Sequence, residues 1–180
     1  MKRLLAFSPV VIFALLLGVL AWFNFHKKEQ YEPRAMVGQP VPTIALADLD
    51  DGSSYDLKSL VAGSTKPVLV NVFASWCVPC LSENPQLMAL KAKGVTIIGV
   101  AWKDQAQNTR NFLNQHDDPY LHALSDPDGK MALGLGISGV PETFIVQPDG
   151  TITDKISGPI VPQTVDAVYA AVSKGKSLNQ

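Results

Sequence analysis

Cys77 and Cys80, separated by two residues, are the only cysteines in the chain. Thiols this close can form a disulfide with each other, and a thiolate from the pair can attack a disulfide elsewhere. Three uses of such a pair have to be weighed. A structural zinc site takes about four Cys or His ligands. Here there is no third cysteine, and His26, His116 and His122 form no ligand-spaced pair. A passive crosslink over so short a loop gains little, because chain-entropy stabilisation grows with loop length. A CxxC between strand and helix in an alternating α/β pattern signals a redox dithiol. The residues favour that use, with zinc and the passive crosslink as the alternatives.

The elements that must position the pair are legible on both sides of it. Val68 to Phe73 is an apolar, largely β-branched run, which predicts a fully buried strand. After Cys80, Leu81, Leu87, Met88 and Leu90 recur at helical spacing. The cysteines therefore lie where a buried strand hands over to a helix N-terminus. Unpaired backbone N–H groups and the positive end of the helix dipole stabilise an anion there, so a thiolate at Cys77 is favoured. By position Cys77 is the more exposed of the two and the attacking thiol, and Cys80, one turn in, resolves the mixed disulfide. Pro79 is tolerated in the first turn because its missing N–H has no partner to lose.

Around this centre the chain alternates. Val41 to Leu57 reads as a hairpin-like start with Asp50-Asp51-Gly52 as its turn. A brief helix at Leu57–Ala62 ends at Gly63, and the helix after Cys80 ends at Lys93-Gly94. Val95 to Ala101 is a second buried strand, Gln105 to His116 a helix, Tyr120 to Leu124 a short extended piece and Gly129 to Leu135 a weak helix. Thr143 to Val146 and Thr151 to Ser157 form a hairpin about Pro148-Asp149-Gly150, and Val161 to Val172 closes the chain as an amphipathic helix. The expected fold is α/β, a mixed sheet with helices on both faces.

Ahead of this lies a different segment. Lys2 and Arg3 precede an apolar stretch from Leu4 to Phe23, broken only by Ser8 and Pro9. About 20 such residues can span a bilayer, and the aromatic exit Trp22-Phe23-Asn24-Phe25 suits a membrane interface. Residues 1–25 therefore read as an uncleaved signal anchor, with cleavage as the alternative. Residues 26–36 read as a tether and 37–180 as one globular domain. From Tyr31 onward, 11 Lys/Arg stand against 15 Asp/Glu, a net of −4 (11 − 15) without a basic cluster, which argues against a nucleic-acid partner.

Trp76-Cys77-Val78-Pro79-Cys80, followed by Gly139-Val140-Pro141, resembles the thioredoxin superfamily. Glu83 and the run Gly139-Val140-Pro141-Glu142-Thr143-Phe144-Ile145, joined to an N-terminal anchor, resemble a narrower group within it. These are the membrane-anchored thiol–disulfide interchange proteins of cytochrome c maturation, called DsbE or CcmG. The resemblance covers about residues 36–173. It implies a thioredoxin-like fold and a protein-disulfide reductase in the periplasm, held by a single span in a bacterial inner membrane. No cofactor beyond the Cys77–Cys80 disulfide is implied. The implied partners are apocytochrome c or maturation thioproteins, with a DsbD-type transmembrane reductase as electron donor.

For individual residues the resemblance implies a cis proline at Pro141. It faces the dithiol, with the backbone at Val140 available to a substrate strand and Trp76 as an apolar platform. Ordinary thioredoxins carry a buried aspartate six residues before the first cysteine, and here that position is Asn71, which cannot titrate. Cys80 must lose a proton before it attacks a mixed disulfide, so Glu83, one turn beyond it, and Glu142, after the proline, are the candidate proton carriers. Trp102, Lys103, His116 and His122 read as structural or surface residues. An oxidase or isomerase of broader substrate range would use the same dithiol at a different potential. A binding module that holds apocytochrome without turnover is the alternative from a different class.

Overall fold

The computed structural model describes residues 12–19, 22, 36–174 and 178. The chain divides into two units, Met1–Glu32 and Pro33–Gln180. In the first, residues 12–19 are helical with exposed side chains. Among the described residues no helix is long and apolar enough to cross a membrane, and most of the stretch read as an anchor lies outside them.

The second unit is built on one sheet. Its strands are β1 (Ala45–Asp48), β2 (Ser54–Asp56), β3 (Val68–Phe73), β4 (Ile97–Trp102), β5 (His122–Asp126), β6 (Glu142–Val146) and β7 (Ile152–Ser157). The order across the sheet is β2-β1-β5-β4-β3-β6-β7. Strands β3, β4 and β5 run parallel, whereas β1, β2, β6 and β7 join as antiparallel edges. The helices are α1 (Leu57–Ala62), α2 (Val78–Ala92), α3 (Ala106–His116), α4 (Lys130–Gly134) and α5 (Val165–Lys174).

Side-chain alternation along β3 and β6 sends residues into two separate cores. Leu69, Phe73 and Ile145 pack with Leu87 and Leu90 of α2, Phe112 and Leu113 of α3, and Val168 and Val172 of α5. Val70, Val72, Phe144 and Val146 pack on the other face with Leu57 and Val61 of α1 and Met131 of α4. The mixed sheet with helices on both faces is therefore as expected. The piece read as Tyr120 to Leu124 is displaced: β5 begins at His122 and is an inner strand, paired with β4 on one side and β1 on the other.

Helix α2 begins at Val78 with Cys77 as its N-cap. It ends in a Schellman arrangement. Gly94 adopts φ +82, its N–H donates to the Lys91 carbonyl (2.9 Å), and the Val95 N–H donates to that of Leu90 (3.1 Å). Gly63 behaves differently. It closes α1 in the right-handed region, at φ −72, so that helix has no left-handed cap.

Gly99 in β4 sits under a tilted stack of Phe73 and Tyr120, whose ring centroids are 4.7 Å apart. A Cβ at this position would lie 2.8 Å from the Tyr120 ring and 2.9 Å from Phe73. Neither ring can retreat within a packed core. Gly99→Ala is therefore expected to destabilise the domain by about 1–3 kcal/mol, read as a lower midpoint in urea unfolding with an unchanged slope.

Candidate active site

Strand β3 ends at Phe73, and Ala74–Trp76 carry the chain to the start of α2. The turn is fixed from outside. The Asp104 carboxylate, between β4 and α3, accepts the Ser75 N–H at 2.6 Å and the Thr109 hydroxyl at 3.0 Å through Oδ2, and the Gln105 N–H at 2.8 Å through Oδ1. It lies one residue ahead of the N-cap, Gln105, and an acid just before a helix is the one sequence signal that marks it. Sequence reasoning passed it over.

Cys77 and Cys80 are joined by a disulfide, with their Cα atoms 5.3 Å apart. The Cys80 N–H donates to Cys77 Sγ at 3.1 Å, so the sulfur occupies the acceptor position of an N-cap. A first-turn amide thus points at the atom that becomes the anion on reduction. Burial does not rank the two cysteines as their position suggested, since each is 4% exposed. Access does separate them. A cleft of about 260 Å³ beside the disulfide is lined by Trp76, Cys77, Val78, Leu81, Phe112 and His116 among others, and Cys80 is not part of its wall.

Trp76 is 56% exposed. Its ring lies 5.9 Å from that of Trp102, and its Nε1 donates to the Lys103 carbonyl at 3.4 Å. Trp102, Lys103 and His116, read from sequence as structural or surface residues, therefore border the site, whereas His122 pairs with Asp48 at 2.7 Å on the β1–β5 side of the sheet. Val140 is half-buried and Pro141 buried, and the peptide bond between them is cis.

The two glutamates have different surroundings. Glu83 is fully buried in α2. Its Oε1 accepts the Ile160 N–H at 2.8 Å, and its Oε2 accepts the Asn71 amide at 3.2 Å. The same amide group donates to Thr143 Oγ1 at 2.9 Å, and Asn71 Oδ1 accepts the Tyr120 hydroxyl at 2.8 Å. Burial raises the Glu83 carboxyl from its ordinary 4.5 to about 7, against the opposing pull of these two hydrogen bonds. Burial, and then the Glu83 charge, push the Tyr120 phenol well above 10, so it stays a donor. Asn71, which cannot titrate, thus orients a residue that can.

Glu142 needs correcting. Its position after Pro141 suggested a carboxylate beside the dithiol. In β6 it pairs with Val72 while Thr143 pairs with Asn71, and adjacent strand residues face opposite ways. Glu142 therefore lies on the face of Val70, Val72 and Phe144, away from α2 and Glu83. Its Oε1 accepts the Ser138 N–H (3.2 Å) and hydroxyl (2.6 Å), and the Lys155 ammonium lies 2.8 Å from Oε2, an ion pair rather than an aligned hydrogen bond.

Comparison with known proteins agrees with this site. The Redoxin family matches residues 36–172. The thiol:disulfide interchange protein DsbE of Escherichia coli K12 is 36% identical over 168 residues, which is 91% of this chain and 90% of that one. The thiol:disulfide interchange protein HelX of Rhodobacter capsulatus is 35% identical over 165 residues, 92% and 93% of the two chains. Among solved structures, MTB dsbF superposes with a TM-score of 0.63 at 27% identity, covering 74% of this chain and 98% of that one. The chain belongs to the Redoxin family, among its thiol:disulfide interchange proteins of the DsbE and HelX kind, and its Cys77–Cys80 pair carries thiol:disulfide oxidoreductase activity.

The raised Glu83 carboxyl has a consequence for stability. The folded protein holds its proton up to about pH 7, whereas the unfolded chain releases it near 4.5. This contribution is therefore fully present below pH 4.5 and is lost as pH rises through 7. The stability of Glu83→Gln relative to the parent is expected to climb by roughly 3 kcal/mol between those limits and then level off. Denaturant unfolding of the oxidised protein at several pH values measures this, and a flat difference refutes it.

Proposed function

We propose that the chain is a periplasmic protein dithiol reductase, tethered to the bacterial inner membrane, that keeps apocytochrome c or a partner maturation thioprotein reduced for haem attachment. The observation that carries this reading is a disulfide capping the N-terminus of α2, with a buried carboxyl of raised pKa one turn further along the same helix. Matches to DsbE and HelX over nine-tenths of the chain support the narrower assignment.

In the reduced protein, the Cys77 thiolate attacks a substrate disulfide and forms a mixed disulfide. Cys80 then gives its proton to Glu83 and attacks Cys77 Sγ, leaving the Cys77–Cys80 disulfide; the substrate's two sulfurs depart as thiolates, one at each attack, and take up protons from water and from Glu83. Glu83 suits this step because a base works best with a pKa near the ambient pH. Two electrons must then return the protein to its dithiol form, and a DsbD-type transmembrane reductase would supply them. An extended substrate segment would pair with the backbone at Val140, beside cis Pro141, as an added strand does. Trp76 would form an apolar wall next to the attacked bond.

The proposed organisation is an anchor over residues 1–25, a tether over 26–36 and the catalytic domain over 37–180. The exposed apolar side chains of residues 12–19, already helical, support the anchor. Confinement to a membrane surface raises the effective concentration of membrane-bound partners.

Cys80→Ala in the full, anchored chain tests the reading. Without the resolving thiol, Cys77 should accumulate mixed disulfides that can be isolated without reductant and identified. Apocytochrome c or maturation thioproteins, together with a membrane electron donor, are the expected catch. A broad set of newly exported proteins with an oxidising membrane partner would reverse the direction, and an empty trap would overturn the reductase reading.

A further inference from the structure

Glu142 and Lys155 form an ion pair with both side chains 2% exposed and 2.8 Å between Nζ and Oε2. Desolvation offsets most of the attraction in such a pair, so net stability is a weak reason for it. What the pair holds is more telling. Lys155 Nζ also donates to the Gly136 carbonyl at 2.8 Å, and Glu142 Oε1 accepts both the N–H and the hydroxyl of Ser138. One buried pair thus takes three polar groups from residues 136–138, in the segment that runs into the cis Val140–Pro141 bond. That segment contains Gly136, at φ +64, and Gly139, which carry no side chains to stiffen it. Its far end is tied separately, by the Gly158 N–H to the Pro141 carbonyl at 3.0 Å.

We propose that Lys155 and Glu142 are positioning residues for substrate capture, holding residues 136–141 from the face of the sheet opposite the disulfide so that the Val140 backbone is already in place when a protein substrate arrives. A loop that had to be ordered on binding would charge that entropy to each association. The cost would fall on substrates that use the strand contact and spare small disulfides that touch only the sulfur. The inference rests on the reading that Val140 and Pro141 receive substrate, and it gives Glu142 a role other than proton transfer.

The test compares the detergent-solubilised full chain and its variants on two substrates, oxidised apocytochrome c and a small aromatic disulfide. Lys155→Met keeps the apolar stem and removes the ammonium. Ser138→Ala removes the hydroxyl that donates to Glu142 Oε1, on an exposed residue, and leaves the ion pair in place. KM for the protein substrate should rise about tenfold in Lys155→Met and about threefold in Ser138→Ala. Its kcat, and the rate with the small disulfide, should stay within about twofold. Unchanged KM in both variants overturns the proposal. So does an equal loss with both substrates in a folded Lys155→Met, which would mark a purely structural pair. If Lys155→Met does not fold, Ser138→Ala decides. Pro141→Ala tests the underlying reading separately: if it leaves the protein KM unchanged, substrate capture at this loop is wrong, whatever Lys155 does.

Discussion

A carboxyl group buried among neutral donors is the constraint around which this domain is assembled. Glu83 has no exposed surface, and its hydrogen bonds come from an amide side chain and a backbone N–H. A buried carboxylate without compensation is expensive, so each of these donors must be held in place. Asn71 meets that demand because Thr143 takes its second amide hydrogen and Tyr120 supplies a hydrogen to its oxygen, leaving the amide one way round. Tyr120 reaches Asn71 by crossing the space that Gly99 leaves open in β4. The Ile160 N–H comes from the chain entering the last helix. Strands β3, β4 and β6 and two connections are thus committed to one buried carboxyl of the disulfide helix.

Burial is all that the second glutamate shares with the first. Glu142 is as inaccessible as Glu83, but an ammonium and a serine take up its oxygens. The same residue type, at similar depth on opposite faces of one sheet, thus has different partners.

Local chemistry in the sequence was enough for the centre of the fold. Val68–Phe73, the CxxC turn and the following helix are read correctly because strand, cap and helix signals are contiguous there. The surroundings of Glu83 are legible only in part. Asn71 stands out as a position that cannot titrate, but Thr143 and Tyr120 reach it from 72 and 49 residues away, Ile160 reaches Glu83 from 77 residues away, and no periodicity reports such pairing. The inner position of β5 was hidden for the same reason. Glu142 was misplaced by a more specific ambiguity. In a half-exposed strand, alternation shows which residues share a face. Strand β6 is buried on both faces throughout, so no alternation was there to show that Glu142 and Thr143 point apart.

That same strand serves both faces of the sheet. Through Thr143 it contributes to the Asn71–Glu83 network, and through Glu142 it meets Lys155 and the loop before the cis proline. Because side chains alternate with period two, a slip of one residue would exchange the faces. Glu142 would then face Asn71 and Glu83, bringing two carboxyl groups together without a cation, while Lys155 would meet a threonine in an apolar core. Both errors bury uncompensated charge. The register Asn71↔Thr143 and Val72↔Glu142 is therefore specified by electrostatics as well as by apolar packing. The arrangement that prevents slippage also keeps the Glu83 carboxyl on one face and the Glu142–Lys155 pair on the other, each beside its own core.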